Sequence, residues 1–232
     1  MQRKKKMHFP TLHSWDLSSR EAVTLQRELA GRVEVRDRLA ERVRLVAGVD
    51  VSSARFGTAV HAAVVVYDLD RSVLVATAAA SMAAAFPYVP GLLSFRELPV
   101  VLEAFRGLAA IPDMVLVDGQ GIAHPRRLGI ASHLGLWLDL PSVGCAKSRL
   151  CGEYGEPGAL RGAWARLTDG EEEIGRVVRT RDRVRPLFVS PGHRVGMERA
   201  VQIVLACGRG YRQPEPTRLA HIESNMLRVR QV

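Results

Sequence analysis

The chain has 232 residues, 47% of them apolar, enough for the core of one α/β domain with additions or of two small domains. Its formal net charge of +9 comes mainly from arginine, whose guanidinium fork suits phosphate oxygens, so a polyanionic partner is expected. Three cysteines (Cys145, Cys151, Cys207) without CxxC spacing exclude a zinc knuckle or a disulfide framework, and no run approaches the ~20 apolar residues of a membrane span, so a cytoplasmic protein without a membrane partner is expected.

Residues 1–16, basic at the start and without a hydrophobic signal core, read as a flexible lead-in, with a single domain over 17–232. Ser18 and Glu21 form a capping box, and Ala22, Leu25, Leu29 and Val33 follow at helical spacing, which predicts a helix over 18–34. Strands are expected at 44–51, 60–67 and 72–82. Short polar turns at 55–58 and 68–71 would join them into an antiparallel meander. An alanine-rich stretch then leads into Phe86-Pro87-Tyr88-Val89-Pro90-Gly91. Two prolines around Tyr88 fix φ and remove backbone donors, so this segment is a stiff loop presenting an aromatic tip. A helix over 94–106, a strand over 113–118, a helix near 127–138 and a strand over 142–146 follow. A hairpin turns at Asp169-Gly170, and a strand at 187–190, a helix over 195–207 and a final helix from about Thr217 complete the chain. A meander followed by helix–strand alternation is the order of a ribonuclease H-like fold, an α/β arrangement with a mixed sheet flanked by helices.

Two acids stand out by position. Asp50 closes the apolar run from Leu45 to Val49, and Asp118 closes the run from Met114 to Val117. A carboxylate at the end of a buried strand loses hydration and must be compensated. No basic residue lies within three positions of either acid, so a divalent cation shared with further acids, Glu97 among them, is the other remedy, and it points to phosphoester chemistry. A strand-end Asp that merely caps the next turn is the ordinary alternative. Gly119-Gln120-Gly121 after a strand suggests a dinucleotide fingerprint, but His124 replaces the third glycine and Asp118 would repel a pyrophosphate. That reading is rejected. The glycines better serve close approach of backbone to a planar ligand.

The segments Ala47-Gly48-Val49-Asp50-Val51-Ser52, Phe86 through Glu97, Val117 through His133, Gly144 through Leu150, Val189 through His193 and Pro214 through His221 together resemble, in order, the motifs of the endonuclease V family. The resemblance spans about residues 12–225. It implies a ribonuclease H-like nuclease that nicks DNA, or in some members RNA, beside a deaminated purine. The implied cut falls at the second phosphodiester bond 3′ to deoxyinosine, leaving a 3′-hydroxyl and a 5′-phosphate, in DNA repair. By the same resemblance Asp50, Glu97 and Asp118 are metal-binding carboxylates, His221 an auxiliary position, and Lys147 a lysine near the scissile phosphate. Pro87, Tyr88, Val89 and Pro90 form a wedge that enters where the flipped base has left. Gly91, Leu93, Gly119, Gly129 and Ile130 line the base pocket. Cys145 stands where a β-branched residue is common, a difference of packing. The implied ion is Mg²⁺, with Mn²⁺ able to substitute, since carboxylates suit hard cations. The implied partner is DNA containing deoxyinosine, or inosine RNA, bound by a monomer. A non-catalytic reader of inosine or bent DNA and an inosine-specific endoribonuclease are the alternatives; a junction resolvase would not need the wedge.

Arg126 and Arg127 are read as phosphate contacts. Arg176, Arg179, Arg181, Arg183 and Arg185 either contact phosphate or face water. His124 and His193 are loop-stabilising residues or phosphate contacts, while His61, His133, Trp137 and Trp164 are packing residues. Ser190 and His193 are no catalytic pair: no nucleophile elbow surrounds them, and Pro191 predicts a turn.

Overall fold

The computed structural model describes residues 7–53 and 58–230. In chain order the elements are α1 (Ser19–Ala30), β1 (Leu45–Ser53), β2 (Ala59–Asp68), β3 (Val73–Ala83), α2 (Leu93–Arg106), β4 (Met114–Val117), α3 (Ile130–Leu138), β5 (Ser142–Ala146), β6 (Glu153–Tyr154), β7 (Trp164–Asp169), β8 (Glu172–Val178), β9 (Leu187–His193), α4 (Met197–Ala206) and α5 (Glu215–Arg230). All nine strands join one sheet in the order β3-β2-β1-β4-β5-β9-β8-β7-β6. The expected meander is there: β1 pairs antiparallel with β2, and β2 with β3. Strands β4 and β5 then add in parallel beside β1. This is the ribonuclease H-like arrangement. The expected turn at 55–58 falls largely on residues outside the described ones.

The sheet is covered on both faces, which explains the unbroken apolar runs in its centre. Along β4, Val115 and Val117 enter the cluster under α2 and α3, while Met114 and Leu116 enter the opposite cluster with Val201 and Val204 of α4. The side-chain period of two thus splits one four-residue run between two cores. Because β1 and β4 are parallel and Val49 faces Val117, the next residue of each, Asp50 and Asp118, emerges side by side at the same sheet edge. Helix α5 lies across this edge. Gly48 makes that possible: a Cβ there would sit 2.0 Å from the Pro216 carbonyl carbon, so the start of α5 rests directly on the β1 backbone.

Several expected boundaries shift for local reasons. The capping box of α1 forms, with Ser18 N donating to Glu21 Oε2 at 2.8 Å, but the helix stops at Gly31 and leaves Val33 outside. Helix α3 starts only at Ile130, after Gly129 as its N-cap. Pro191 makes no turn; it lies inside β9 beside a register shift against β5, where a missing donor is tolerated. No helix among the described residues is long and apolar enough to cross a membrane.

The flexible lead-in expected over residues 1–16 does not hold for residues 7–16. Met7, Phe9, Leu12 and Trp15 pack against the core, and the Trp15 ring stacks on Trp137 at 5.2 Å between centroids. His13 and His133 share a hydrogen bond between their Nε2 atoms at 2.7 Å, and His133 Nδ1 bonds Ser94 Oγ at 3.0 Å. Four large apolar side chains in ten residues outweigh the cost of ordering the segment. Residues 1–6, which hold most of its positive charge, lie outside the described residues.

Burial holds the His13, His133 and His193 imidazoles below histidine's ordinary 6.5, and pushes His124 down to about 4. The fold therefore carries these rings neutral, whereas the unfolded chain protonates them near 6.5. Their contribution is complete above that value and is lost progressively as pH falls below it. Measured without metal in an Asp50→Asn/Glu97→Gln variant, which removes the two raised carboxyls that titrate in the opposite sense, thermal midpoints should fall steadily from pH 6.5 towards 4. A midpoint unchanged between pH 7 and 5 would contradict the neutral buried rings.

Candidate active site

Asp50 and Asp118 are brought together by strand pairing, and α5 supplies a third donor. Ligand atoms of Asp50, Asp118 and His221 all lie within 4.8 Å of one another. His221 Nδ1 stands 3.3 Å from Asp50 Oδ2, and Ser224 Oγ, one turn further along α5, donates to that oxygen at 2.5 Å. Asp118 Oδ2 accepts from Gln213 Nε2 at 3.1 Å and pairs with Lys147 Nζ at 2.5 Å. The absence of a basic residue near Asp118 in sequence therefore does not leave it without a cation. Lys147 follows β5, the parallel neighbour of β4, and tertiary pairing delivers what local sequence lacks.

The electrostatics mark a place that wants positive charge. Burial raises the Asp50 carboxyl, the Ser224 hydrogen bond pulls it back, and the Asp118 charge raises it again. Glu97, on α2, is pushed up to about 8, first by burial and then by the charge of Asp50. Glu97 thus senses the other acids, yet its oxygens stand outside the 4.8 Å group, in which His221 takes the third place. Hard carboxylate oxygens and one imidazole, with the Asp50 and Glu97 carboxyls raised by burial and then by neighbouring acidic charge, fit a divalent cation. The thiols do not compete: Cys145 and Cys207 are buried in the core beneath α4, and burial pushes Cys207 up to about 12.

Beside this cluster opens a cavity of about 440 Å³. Every residue expected at a base pocket lines it, namely Gly91, Leu93, Gly119, Gly129 and Ile130, and so do Tyr88, Val89 and Pro90 of the loop; Pro87 does not. Asp118 and Lys147 also line it, so the cavity reaches the acidic cluster. The loop is anchored at both ends by buried Phe86 and Leu92, which pack with Ala22 of α1 and Phe95 of α2. Gly91 adopts φ +80°, which its lack of a side chain permits, and this turns its carbonyl inward. That oxygen accepts from Gln26 Nε2 at 3.0 Å, Arg126 Nη2 at 2.8 Å and His124 Nε2 at 3.1 Å. Tyr88, by contrast, is 71% exposed at the tip.

A family model for endonuclease V matches residues 27–222. The chain belongs to the endonuclease V family. It is 53% identical over 218 residues to the endonuclease V of Methanothrix thermoacetophila, covering 94% of this chain and 96% of that one. The crystal structure of endonuclease V from Streptomyces avermitilis superposes with a TM-score of 0.89 at 41% identity, covering 98% of this chain and 100% of that one. The endonuclease V of Ciona intestinalis, crystallised with a 24mer DNA containing an inosine followed by a ribo-adenosine, gives a TM-score of 0.79 at 27% identity, covering 92% and 98%.

The structure gives several of the expected contact residues partners within the protein. Arg126 and Arg127, read as phosphate contacts, both have protein partners. Arg126 spans Gly91 O and Gln26 Oε1, and Arg127 pairs with Asp169 and Glu172 on the β7–β8 hairpin. His124 Nε2 donates to Gly91 O while its Nδ1 accepts from Arg126 N at 3.1 Å, so it is a neutral loop brace. His193 is likewise structural, accepting from Glu34 N at 3.3 Å. His61, His133 and Trp137 are buried as expected, but Trp164 is 43% exposed and carries the Arg176 guanidinium 3.9 Å above its ring. Arg176 also pairs with Glu173 and Glu198, and Arg179 pairs with Glu156, so two of the five cluster arginines have carboxylate partners within the protein. Gln26, Gln213 and Ser224 were not singled out in the sequence. Gln26 had a signal, as a polar residue between Ala22 and Leu29 on the buried face of α1, and Ser224 shares a helix face with His221. Gln213 had none.

Proposed function

We propose that this chain is a Mg²⁺-dependent endonuclease that nicks a strand at the second phosphodiester bond 3′ to deoxyinosine, leaving a 3′-hydroxyl and a 5′-phosphate, in cytoplasmic DNA repair. The observation that carries the reading is the convergence of Asp50, Asp118, His221 and Lys147 beside the loop-walled cavity that Asp118 and Lys147 line. Asp50, Asp118 and His221 would hold the ion, with Glu97 completing its surroundings, and Mn²⁺ would suit the same donors. When bound, such an ion supplies positive charge to the phosphate oxygens and acidifies the attacking water. Lys147 offsets charge that grows on the phosphate during displacement. Extruding a base costs a few kcal/mol, least where pairing is already weak, so an inosine mispair favours entry to the cavity. The narrow glycine-lined walls accept a planar base, and Tyr88 fills the vacated stack.

The test is a nicking assay on matched DNA and RNA strands, each with one inosine, in Mg²⁺ and after chelation. Metal-dependent nicking of the DNA strand supports the reading. Nicking of the RNA alone would make the chain an inosine-specific endoribonuclease, and binding without any nick would make it a reader.

His221 tunes this site rather than founding it. His221→Ala should slow nicking by at least about tenfold, the lower end of the range for groups that merely orient a metal's ligands, with little change in strand affinity, since both carboxylate donors remain. His221→Asp should keep more activity than His221→Ala, because a carboxylate can still coordinate. Equal rates for the two variants would refute a ligand role.

A further inference from the structure

A second cleft, of about 480 Å³, adjoins the base cavity. The two share Lys147, Ser148 and Arg149 as a common wall. Beyond that wall the cleft is lined by Arg212, Arg183 and Arg185, with Tyr154 on one side. Its charge is not neutralised from within. Glu156, the acid of the lining, is already bound by Arg179 Nη2 at 2.7 Å. Arg183 and Arg185 are exposed, and their guanidinium groups have no partner among the described residues. Arg212 is fixed by Lys147 O at 2.6 Å and Pro186 O at 2.8 Å, while its Nε is buried with no hydrogen-bond partner. The nearby Arg185 charge, after burial, holds the Arg212 guanidinium below its ordinary value, so these cations crowd one another. Tyr154 is held edge-on by Phe188 at 5.3 Å and lies under the Arg149 guanidinium at 6.0 Å, which leaves it 37% exposed to the cleft.

Crowded arginines interleaved with a braced aromatic ring make a track for a nucleic-acid strand, since guanidinium groups meet phosphates and the ring can stack a base. We propose that this cleft holds the strand on the 3′ side of the cut, with Arg183 and Arg185 on its phosphates and Tyr154 against a base. The polarity rests on the proposed function. A strand whose flipped base fills the first cavity and whose cut phosphate lies at Asp118 and Lys147 is running 3′ as it enters the second cleft. This gives the phosphate role to the two cluster arginines of the cleft that, unlike Arg176 and Arg179, have no carboxylate partner among the described residues.

The experiment uses single-stranded DNA with one deoxyinosine, a constant 5′ flank, and a 3′ flank either long or ending just past the cut. The full chain and the Arg183→Ala/Arg185→Ala double variant are compared by kcat/KM, with unchanged thermal midpoints as the check on folding. The full chain should lose about tenfold when the 3′ flank is trimmed, and the double variant should already stand near that lower level on the long strand. Its dependence of log affinity on log salt should be shallower by about 1.4, or about 0.7 for each phosphate that is no longer neutralised. A double variant that loses as much on the trimmed strand, or that responds only to trimming of the 5′ flank, would overturn the assignment. So would a loss that appears only when a complementary strand is annealed, since the cleft would then carry that strand. Nicking of the long strand by the full chain is the separate control: if it fails, the proposed function fails and this polarity falls with it.

Discussion

Asp118→Ala is expected to lower the nicking rate on an inosine strand by at least about a thousandfold, beyond the roughly ten- to hundredfold carried by groups that only touch a metal's ligands. Asp118 is one of three donors within 4.8 Å, and its Oδ2 is also where Lys147 and Gln213 converge. Its removal takes a metal donor and frees both partners at once. Strand binding should persist, because the walls of the base cavity come from Gly91, Leu93, Gly129 and Ile130. Stability should not suffer either. The Asp118 charge raises the carboxyls of Asp50 and Glu97, so deleting it relieves repulsion in the metal-free protein. The expected triad of results is no nicking, retained binding to the inosine strand and a metal-free thermal midpoint equal to or above that of the parent. Near-parental nicking by Asp118→Ala in Mg²⁺ would show that the centre is wrongly placed.

Tyr88→Ala should weaken the hold on an inosine strand by about five- to hundredfold, the equivalent of one base–aromatic stack of roughly 1–3 kcal/mol. The ring is 71% exposed, whereas Phe86 and Leu92 at the loop's ends are buried. Losing Tyr88 therefore removes almost no packing, and the thermal midpoint should not move. The loop itself should keep its shape, because its support is the set of hydrogen bonds from Gln26, Arg126 and His124 to Gly91 O. Tyr88→Phe should bind like the parent, since stacking needs the ring and not the hydroxyl. A less stable Tyr88→Ala protein that still binds inosine strands at full strength would make Tyr88 a packing residue and remove the wedge.

The elements and the acids are legible in the chain before it folds. Apolar runs ending in Asp50 and Asp118 mark two buried strands with charged ends. Pro87 and Pro90 mark a stiff loop, and the capping box at Ser18 marks the start of α1. These signals can be read because they are local: backbone donors, φ restrictions and side-chain period all act within a few residues. The order of elements points to the ribonuclease H-like fold for the same reason.

Which side chains meet is a matter of tertiary packing. Parallel pairing of Val49 with Val117 sets Asp50 beside Asp118, and bare Gly48 lets α5 approach closely enough for His221 to join them ahead of Glu97. Lys147 reaches Asp118 from the neighbouring strand, a compensation that no window around Asp118 could reveal. Arg126 and Arg127 look like a phosphate-binding pair in sequence, but the fold presents them with Gly91 O, Gln26, Asp169 and Glu172. An exposed-looking arginine takes whichever anion or carbonyl the fold brings within reach. Residues 7–16, basic-tail-like by position, are pinned because Trp15 meets Trp137 and His13 meets His133 across 120 or more residues of chain. Partners so distant in sequence leave no periodic trace, so their pairing exists only once the chain has folded.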